Sequence, residues 1–480
     1  MDKNTSVLRK RIPSLSVFFS SSFFICLLIA ACGSDCHSQN SLRVSTDNPR
    51  YFTDRSGKAI YLTGSHTWNT LVEMNTPANP QLFDFDAYLD FLKRYNHNFI
   101  RLWTWELFIY NDRPEMDEHH KLHRTSPLPW LTVNGEPAPD GNQKFDLTKF
   151  NPAYFERLRQ RVAASKEKGI YVSIMLFEGW GEQFRSNSFQ NHPFYPLNNV
   201  NNIMIDTTGD VRALSKHELV NKQVLAIQEA YVKKVIETVN DLDNVLYEIS
   251  NENHPASTEW QYHMINFIKK YEKTLPNQHP VGMTFQYEGG KNKTLFDSPA
   301  DWISPNAEGG YKVSPKPSDG SKVVLTDTDH LWGLGGNHQW VWKSFMQGLN
   351  PIFMDPYDGK LFQHGETPRI PKEEMELIRK NMGYTLKYAQ RMSLIDMLPD
   401  TTLSSSGYCL RHANREYLVY IPEGNKVELN FASIRGAFST EWFDPLTGNK
   451  NIGDKINGGK KLTLISPFKS GEAVLYLKRL

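Results

Sequence analysis

Asn244-Val-Leu-Tyr-Glu-Ile-Ser-Asn-Glu252 is an apolar run of strand length that ends in an amide and an acid. A helix-length stretch, residues 218–242, comes before it. Before that lies another apolar run, Ile170-Tyr-Val-Ser-Ile-Met-Leu176. Strand, helix and strand in this order predict two parallel strands joined by a crossover. Working outward, the alternation persists. Runs at 59–64, 98–103, 280–285, 301–304, 322–326 and 350–354 raise the strand count to eight. Helix-like segments at 83–95, 151–168, 258–274, 338–348 and 373–391 lie between or after them. Eight such units over residues 44–394 predict a (β/α)8 barrel. A doubly wound sheet is disfavoured because no glycine-rich phosphate turn follows the first run.

Beyond Ser393 the period changes. Short runs at 407–411, 416–421, 426–431, 438–443, 461–465 and 473–477 are separated by turns such as Glu423-Gly-Asn and Pro445-Leu-Thr-Gly448. Period-two patterning with regular turns predicts a small antiparallel β-sandwich over 395–480. Near the start, residues 50–62 read as a hairpin turning at 54–57.

Fifty-four basic residues balance 53 acidic ones. No basic field exists to attract nucleic acid, so none is expected as a partner. The four cysteines, Cys26, Cys32, Cys36 and Cys409, form neither a disulfide framework nor a zinc motif. No metal and no cofactor is expected. The N-terminus carries Lys3, Arg9, Lys10 and Arg11 ahead of an apolar stretch over 17–31. That is the layout of a signal peptide over 1–31. Its end, Ile29-Ala-Ala-Cys32, resembles the bacterial lipobox. The resemblance implies lipidation at Cys32, a tether over 32–43, and export to the cell envelope (outer membrane or periplasm), with the membrane touched only through the lipid.

A barrel builds its site at the C-terminal ends of its strands. The runs here end in Ser65-His66-Thr-Trp68, in Arg101, Trp103, Trp105 and Glu106, in Glu178-Gly-Trp180, in Asn251-Glu252-Asn253-His254, in Gln286 and Tyr287, in Asn306 and Glu308, in Asp327-Thr-Asp329-His330-Leu-Trp332, and in Asp355. Acids on most of these ends suit glycosidic cleavage, which uses one carboxyl as proton donor and a second as nucleophile or base. Glu252 is the first of the pair. The expected partner is Asp327, with Asp329 as the alternative and Glu308 behind it. Arg101 is expected to hold a carboxylate ionised. Asn251, His66, Glu178 and His330 are expected sugar ligands, with Trp103, Trp105, Trp180 and Trp332 as stacking platforms.

Asn251-Glu252 after the fourth run, with Arg101 on the second, resembles clan A of the glycoside hydrolases. In that clan the Glu after Asn is the acid/base and a Glu ending strand seven is the nucleophile. This chain has Val323-Val-Leu-Thr-Asp327-Thr-Asp329 there, with Asp in place of Glu. Gly64-Ser-His-Thr-Trp-Asn69 and Asn98-Phe-Ile-Arg-Leu-Trp-Thr-Trp-Glu106 are similar to apiosidase-like bacterial barrels. Glu441-Trp-Phe-Asp-Pro-Leu-Thr-Gly448 is similar to the C-terminal "putative collagen-binding" module of those proteins. The resemblance implies a retaining glycoside hydrolase acting on an extracellular polysaccharide or oligosaccharide. The alternative is an inactive glycan-binding or adhesion lipoprotein on the same scaffold.

Overall fold

In the computed structural model, eight parallel strands follow one another around a closed sheet. They are β1 (Gly64–His66), β2 (Phe99–Leu102), β3 (Tyr171–Glu178), β4 (Val245–Asn251), β5 (Val281–Thr284), β6 (Trp302–Ser304), β7 (Val323–Asp327) and β8 (Asn350–Met354). They are hydrogen-bonded in the order β1-β8-β7-β6-β5-β4-β3-β2. The seam between β1 and β2 is closed at its base, where Asn98 N–H donates to the Thr63 carbonyl at 3.0 Å. Thr63 N–H returns a bond to Asn98 Oδ1 at 2.9 Å. A Cβ on Gly64 would fall 2.2 Å from the Phe99 carbonyl oxygen, so only glycine lets β1 lie this close to β2. The structure describes residues 41–75, 82–110, 123–139, 141–183, 188–357 and 370–480. The signal segment, Cys32 and all but the last residues of the tether lie outside these.

Helices cover the barrel: α1 (Phe85–Arg94), α2 (Pro152–Glu167), α3 (Lys222–Val239), α4 (Thr258–Glu272), α5 (Asn292–Asp297), the one-turn α6 (Thr328–Trp332), α7 (His338–Met346) and α8 (Lys372–Arg391). Their starts are set by side chains. Asn151 accepts from Ala153 N–H with Pro152 in the first turn, and Asn221 accepts from Gln223 and Val224 N–H. β4 is buried at every position, as a strand covered on both faces must be.

The first run divides: its start forms the second arm of the hairpin expected over 50–62, and the barrel strand is shorter than the run expected over 59–64. Ala59–Ile60 pairs antiparallel with Phe52–Thr53, which in turn pairs with Arg43–Val44. The barrel strand begins only at Gly64. The cause is the turn, where Asp54 Oδ1 accepts from Ser56 N–H and Gly57 has a positive φ. This commits residues 59–60 to the hairpin. Phe52 and Leu62 then pack with Leu42, Phe99, Leu246, Trp302, Val323, Leu325 and Ile352, and so plug the end of the barrel where the strands begin.

The C-terminal strands are β9 (Leu398–Pro399), β10 (Cys409–His412), β11 (Glu416–Ile421), β12 (Lys426–Asn430), β13 (Ala437–Phe443), β14 (Lys450–Asn457), β15 (Lys461–Ile465) and β16 (Ala473–Arg479). Six form an antiparallel sheet in the order β9-β10-β11-β16-β13-β14, and β12 pairs with β15. β14 escaped the sequence reading. It is an edge strand of mostly polar residues, and Ile452 is 76% exposed, so it lacks a buried stripe. β11 is buried on both faces. Tyr417, Val419 and Ile421 face the sandwich core, while Leu418 and Tyr420 join Trp342 of α7 and Tyr388 of α8.

His338 ties the barrel to the sandwich. Its Nδ1 lies 2.7 Å from Glu374 of α8 and its Nε2 lies 3.2 Å from Glu472, just before β16. Burial alone would disfavour the imidazolium, but the two carboxylates outweigh it and raise the pKa to about 9. The folded value lies above the unfolded value of about 6.5. The stabilisation is therefore complete below about pH 6.5 and is lost as pH rises through about 9. Thermal melts of the wild type should lose stability over this window more steeply than those of His338→Gln. Parallel melting curves for the two proteins would remove His338 as the cause.

Candidate active site

The site grows from one buried side chain. Arg101, on β2, is 1% exposed. All five of its N–H groups are used. Nε and Nη2 donate to the two oxygens of Glu248 at 3.0 and 2.6 Å, Nη1 donates to Asp327 Oδ2 at 3.0 Å and Asp329 Oδ2 at 3.2 Å, and Nη2 also donates to Asn251 Oδ1 at 2.6 Å. Burial opposes its charge. Glu248 and Asp327 overcome that opposition and hold it protonated. Glu248 was missing from the sequence reading. Its signal was there, as an acid in the middle of an otherwise uncharged run, since a charge in a fully buried strand demands a partner.

Asp327 ends β7 and caps α6. Its Oδ1 accepts from Asp329 N–H at 2.9 Å and from His66 Nε2 at 2.9 Å. Burial works to raise its pKa, but His66 and Arg101 hold the carboxyl well below its usual range. It is 0% exposed, and neither it nor His66 lines the cavity described next. Asp329 stands two residues further out, on α6. Burial, then repulsion from Asp327, push it up to about 6.

The cavity has a volume of about 420 Å³ and opens at the C-terminal end of the barrel. Its lining contains Glu252, Asp329, Asn251, His330, Trp68, Trp103, Trp180, Trp332, Phe285, Tyr287 and Lys312. Among the described residues, Glu252 and Asp329 are thus the two acids on its wall. Among the described residues, none hydrogen-bonds the Glu252 carboxyl. Burial, then the charge of Asp329, hold it well above the usual carboxylate range. Glu252 also has φ 44°, a left-handed backbone that a non-glycine residue occupies at a cost of about 1–2 kcal/mol. Gln183 Nε2 donates to its carbonyl at 2.7 Å and helps hold this conformation. His330 is buried and its pKa falls to about 3, so its neutral ring donates through Nε2 towards Asn251 Oδ1 and accepts at Nδ1 from Ser304.

Not every expected ligand reaches the cavity. Trp105 sits in the core. Glu178 accepts from Gly181 N–H at 2.9 Å, and its burial raises its pKa well above normal. His254 binds Asn253 and Glu218, and Asp355 is paired with Arg379. Among the described residues, none between 110 and 144 or between 185 and 214 belongs to its lining.

Two clusters have metal-like spacing, Glu106–Glu182–His217 and Asp327–Asp329–His330. In the first, Asn253 Oδ1 accepts from His254 N–H, so Asn253 Nδ2 donates to His217 Nδ1. A neutral His217 therefore carries its proton on Nε2, turned towards Glu106, and offers no lone pair there. In the second, His330 Nε2 is likewise a donor, and Arg101 is already the cation between the two aspartates.

The fold is shared with proteins of known structure. One titled a glycoside hydrolase is 14% identical, with a TM-score of 0.56, covering 92% of this chain and 97% of that one. A glycoside hydrolase family 5 protein from Bacteroides vulgatus is 13% identical, with a TM-score of 0.57, covering 92% and 93%. At these identities the likeness establishes the barrel and its appended sheet. Residues 109–288 match the family model described as a domain of unknown function, DUF6298. Residues 397–474 match the "Putative collagen-binding domain of a collagenase". No curated protein sequence matches the chain.

The backbone around Glu252 leaves no slack. A Cβ on Gly179 would lie 2.5 Å from Asn253 Cα, whereas one on Gly209 would meet open space. Gly179→Ala should lose about 1–3 kcal/mol in urea unfolding, as overpacking does. Gly209→Ala should lose far less. Equal losses in the two variants would show that the β3 and β4 ends are not in tight contact.

Proposed function

We propose that this chain is a metal-independent glycoside hydrolase in which Glu252 is the acid/base and Asp329 the nucleophile. The observation that carries this reading is that two carboxyls facing one aromatic-lined cavity are held in different states. Asp329 titrates at about 6 under the Arg101 guanidinium, while Glu252 is held well above its usual range, with no cation bonded to it among the described residues. Such a separation assigns acid and base. The protonated Glu252 gives its proton to the leaving oxygen. The ionised Asp329 attacks the anomeric carbon and forms a glycosyl ester. Glu252 then takes a proton from water as that water cleaves the ester, which makes the reaction retaining. Asn251 has its Oδ1 committed to Arg101 and offers its Nδ2 hydrogens to a sugar hydroxyl. The aromatic wall suits the C–H faces of a sugar.

Asp329 replaces Asp327 in this role on geometric grounds. Both Asp327 oxygens are bonded beneath the cavity floor, so it positions Arg101, His66 and α6. The substrate class is an extracellular glycan, and the signal-like N-terminus with Cys32 supports a lipid-anchored protein of the cell envelope.

A glycan screen with the purified chain tests the reading. Glu252→Gln should lower kcat by about 10²–10⁴-fold. With azide, Asp329→Gly should yield a glycosyl azide of inverted configuration and Asp327→Gly should not. If the azide product comes from Asp327→Gly alone, the nucleophile assignment is overturned. If no glycan is cleaved, the enzyme reading is overturned. The kcat/KM profile should fall on the acid side with a limb near 6, as Asp329 takes up its proton. An acid limb that Asp329→Glu leaves in place would belong to another group.

A further inference from the structure

The cavity wall holds a cation that the chemistry above does not use. Lys312 lies between β6 and β7, half-buried, with its ammonium 5.4 Å from the centre of the Trp332 ring. A cation held against an aromatic face keeps its charge while losing part of its freedom. The acids nearest to it in sequence are engaged elsewhere. Glu308 Oε2 accepts from Asn292 N–H at 3.0 Å, and Asp319 Oδ1 accepts from Ser321 N–H at 2.8 Å and Ser321 Oγ at 2.7 Å. Among the described residues, no carboxylate pairs with Lys312.

The segment that carries it is anchored. The Tyr311 carbonyl accepts from Trp340 Nε1 of α7 at 3.0 Å. Asn292 donates to the carbonyls of Asn306 and Glu308. Gly310, at φ 94°, turns the chain so that Val313 and Ser314 N–H both reach its carbonyl. Lys312 is therefore presented from a braced loop. Beside Trp332, the cavity lining also offers the aromatic rings of Phe285 and Tyr287.

We infer that Lys312 forms a subsite for an anionic sugar unit, carrying a carboxylate or a sulfate, within the cavity that holds Glu252 and Asp329. The inference rests on the glycan reading of this cavity but not on its catalysis. Charge balance supports it. Arg101 lies outside the lining and is already bonded to Glu248, Asp327 and Asp329, whereas Lys312 stands in the lining and, among the described residues, pairs with no carboxylate. An anionic group placed beside Asp329, the ionised acid of the reading above, would be repelled. The ammonium thus fixes the orientation of such a unit as well as its affinity.

Binding to the full chain by titration calorimetry tests this, using galacturonate, glucuronate and galactose 6-sulfate against galactose and glucose. At least one anionic sugar should bind about tenfold or more tightly than its neutral counterpart, as one charge-assisted bond allows. Whether the preferred anion is a uronate or the sulfate identifies the group. The preference should vanish in Lys312→Gln, persist in part in Lys312→Arg, and weaken with added salt. Neutral sugars binding as tightly as anionic ones, no anionic sugar binding, or a preference intact in Lys312→Gln would each overturn the subsite. Glycan cleavage lost in Glu252→Gln remains a separate readout. A protein that prefers anionic sugars yet cleaves nothing keeps the subsite and loses the enzyme reading; one that cleaves only neutral glycans does the reverse.

Discussion

Five hydrogen bonds from one guanidinium hold the mouth of this barrel in register. Arg101 joins β2 to β4 through Glu248 and Asn251, and reaches across the barrel to β7 and α6 through Asp327 and Asp329. Three carboxylates around one cation form an excess of negative charge in a dry interior. Such a group is stable only if its hydrogen bonds are complete, and removing one member of a buried set typically costs about 3–5 kcal/mol. His66 supplies the remaining donor, on Asp327. The arrangement fixes where each acid can be. Glu248 and Asp327 are the lower ring, saturated and closed. Asp329 shares Arg101 with Asp327 but keeps its second oxygen free of it.

That sharing explains the divergence of the two cavity acids. Asp329 feels both the cation and a neighbouring anion, and titrates at about 6. Glu252 is buried with no cation bonded to it among the described residues, and repulsion from Asp329 adds to the desolvation. Its left-handed backbone is the local strain by which the chain leaving β4 turns Glu252 onto the cavity wall while Asn251 Oδ1 is held by Arg101. Gly179 and Asn253 brace that turn from the β3 side. Strain, burial and charge thus converge on one carboxyl group, a combination that clusters at functional sites.

Much of this was legible in the sequence because it follows from periodicity. The eight runs and their helices are set by where apolar residues recur, and β8 matches its expected bounds, Asn350–Met354. Asn251-Glu252 could be placed at a barrel mouth because it ends such a run. The failures have local causes. The hairpin turn at Asp54 captured Ala59–Ile60 for antiparallel pairing, although the apolar run continues to Gly64. β14 lacks a buried stripe because it is an edge. Glu248 and Lys312 carry no strand-end signal in the sequence, because neither sits at the end of an apolar run.

The choice between Asp327 and Asp329 shows where sequence reasoning stops. Both acids follow the same strand, separated by one threonine, and nothing in their spacing says which faces the cavity. The capping rule does distinguish them once α6 is seen. An aspartate at a helix N-cap turns its carboxylate back onto the N–H groups of the first turn. Asp327 does so, on Asp329 N–H, and in doing so points into the barrel where Arg101 and His66 await it. The residue after the cap's first turn begins is lifted clear of the sheet. A barrel that ends strand seven in Glu can reach the cavity from the strand itself. This chain spends the strand-end acid on the cap and the floor, and the first turn of α6 places Asp329 on the wall that Glu252 shares.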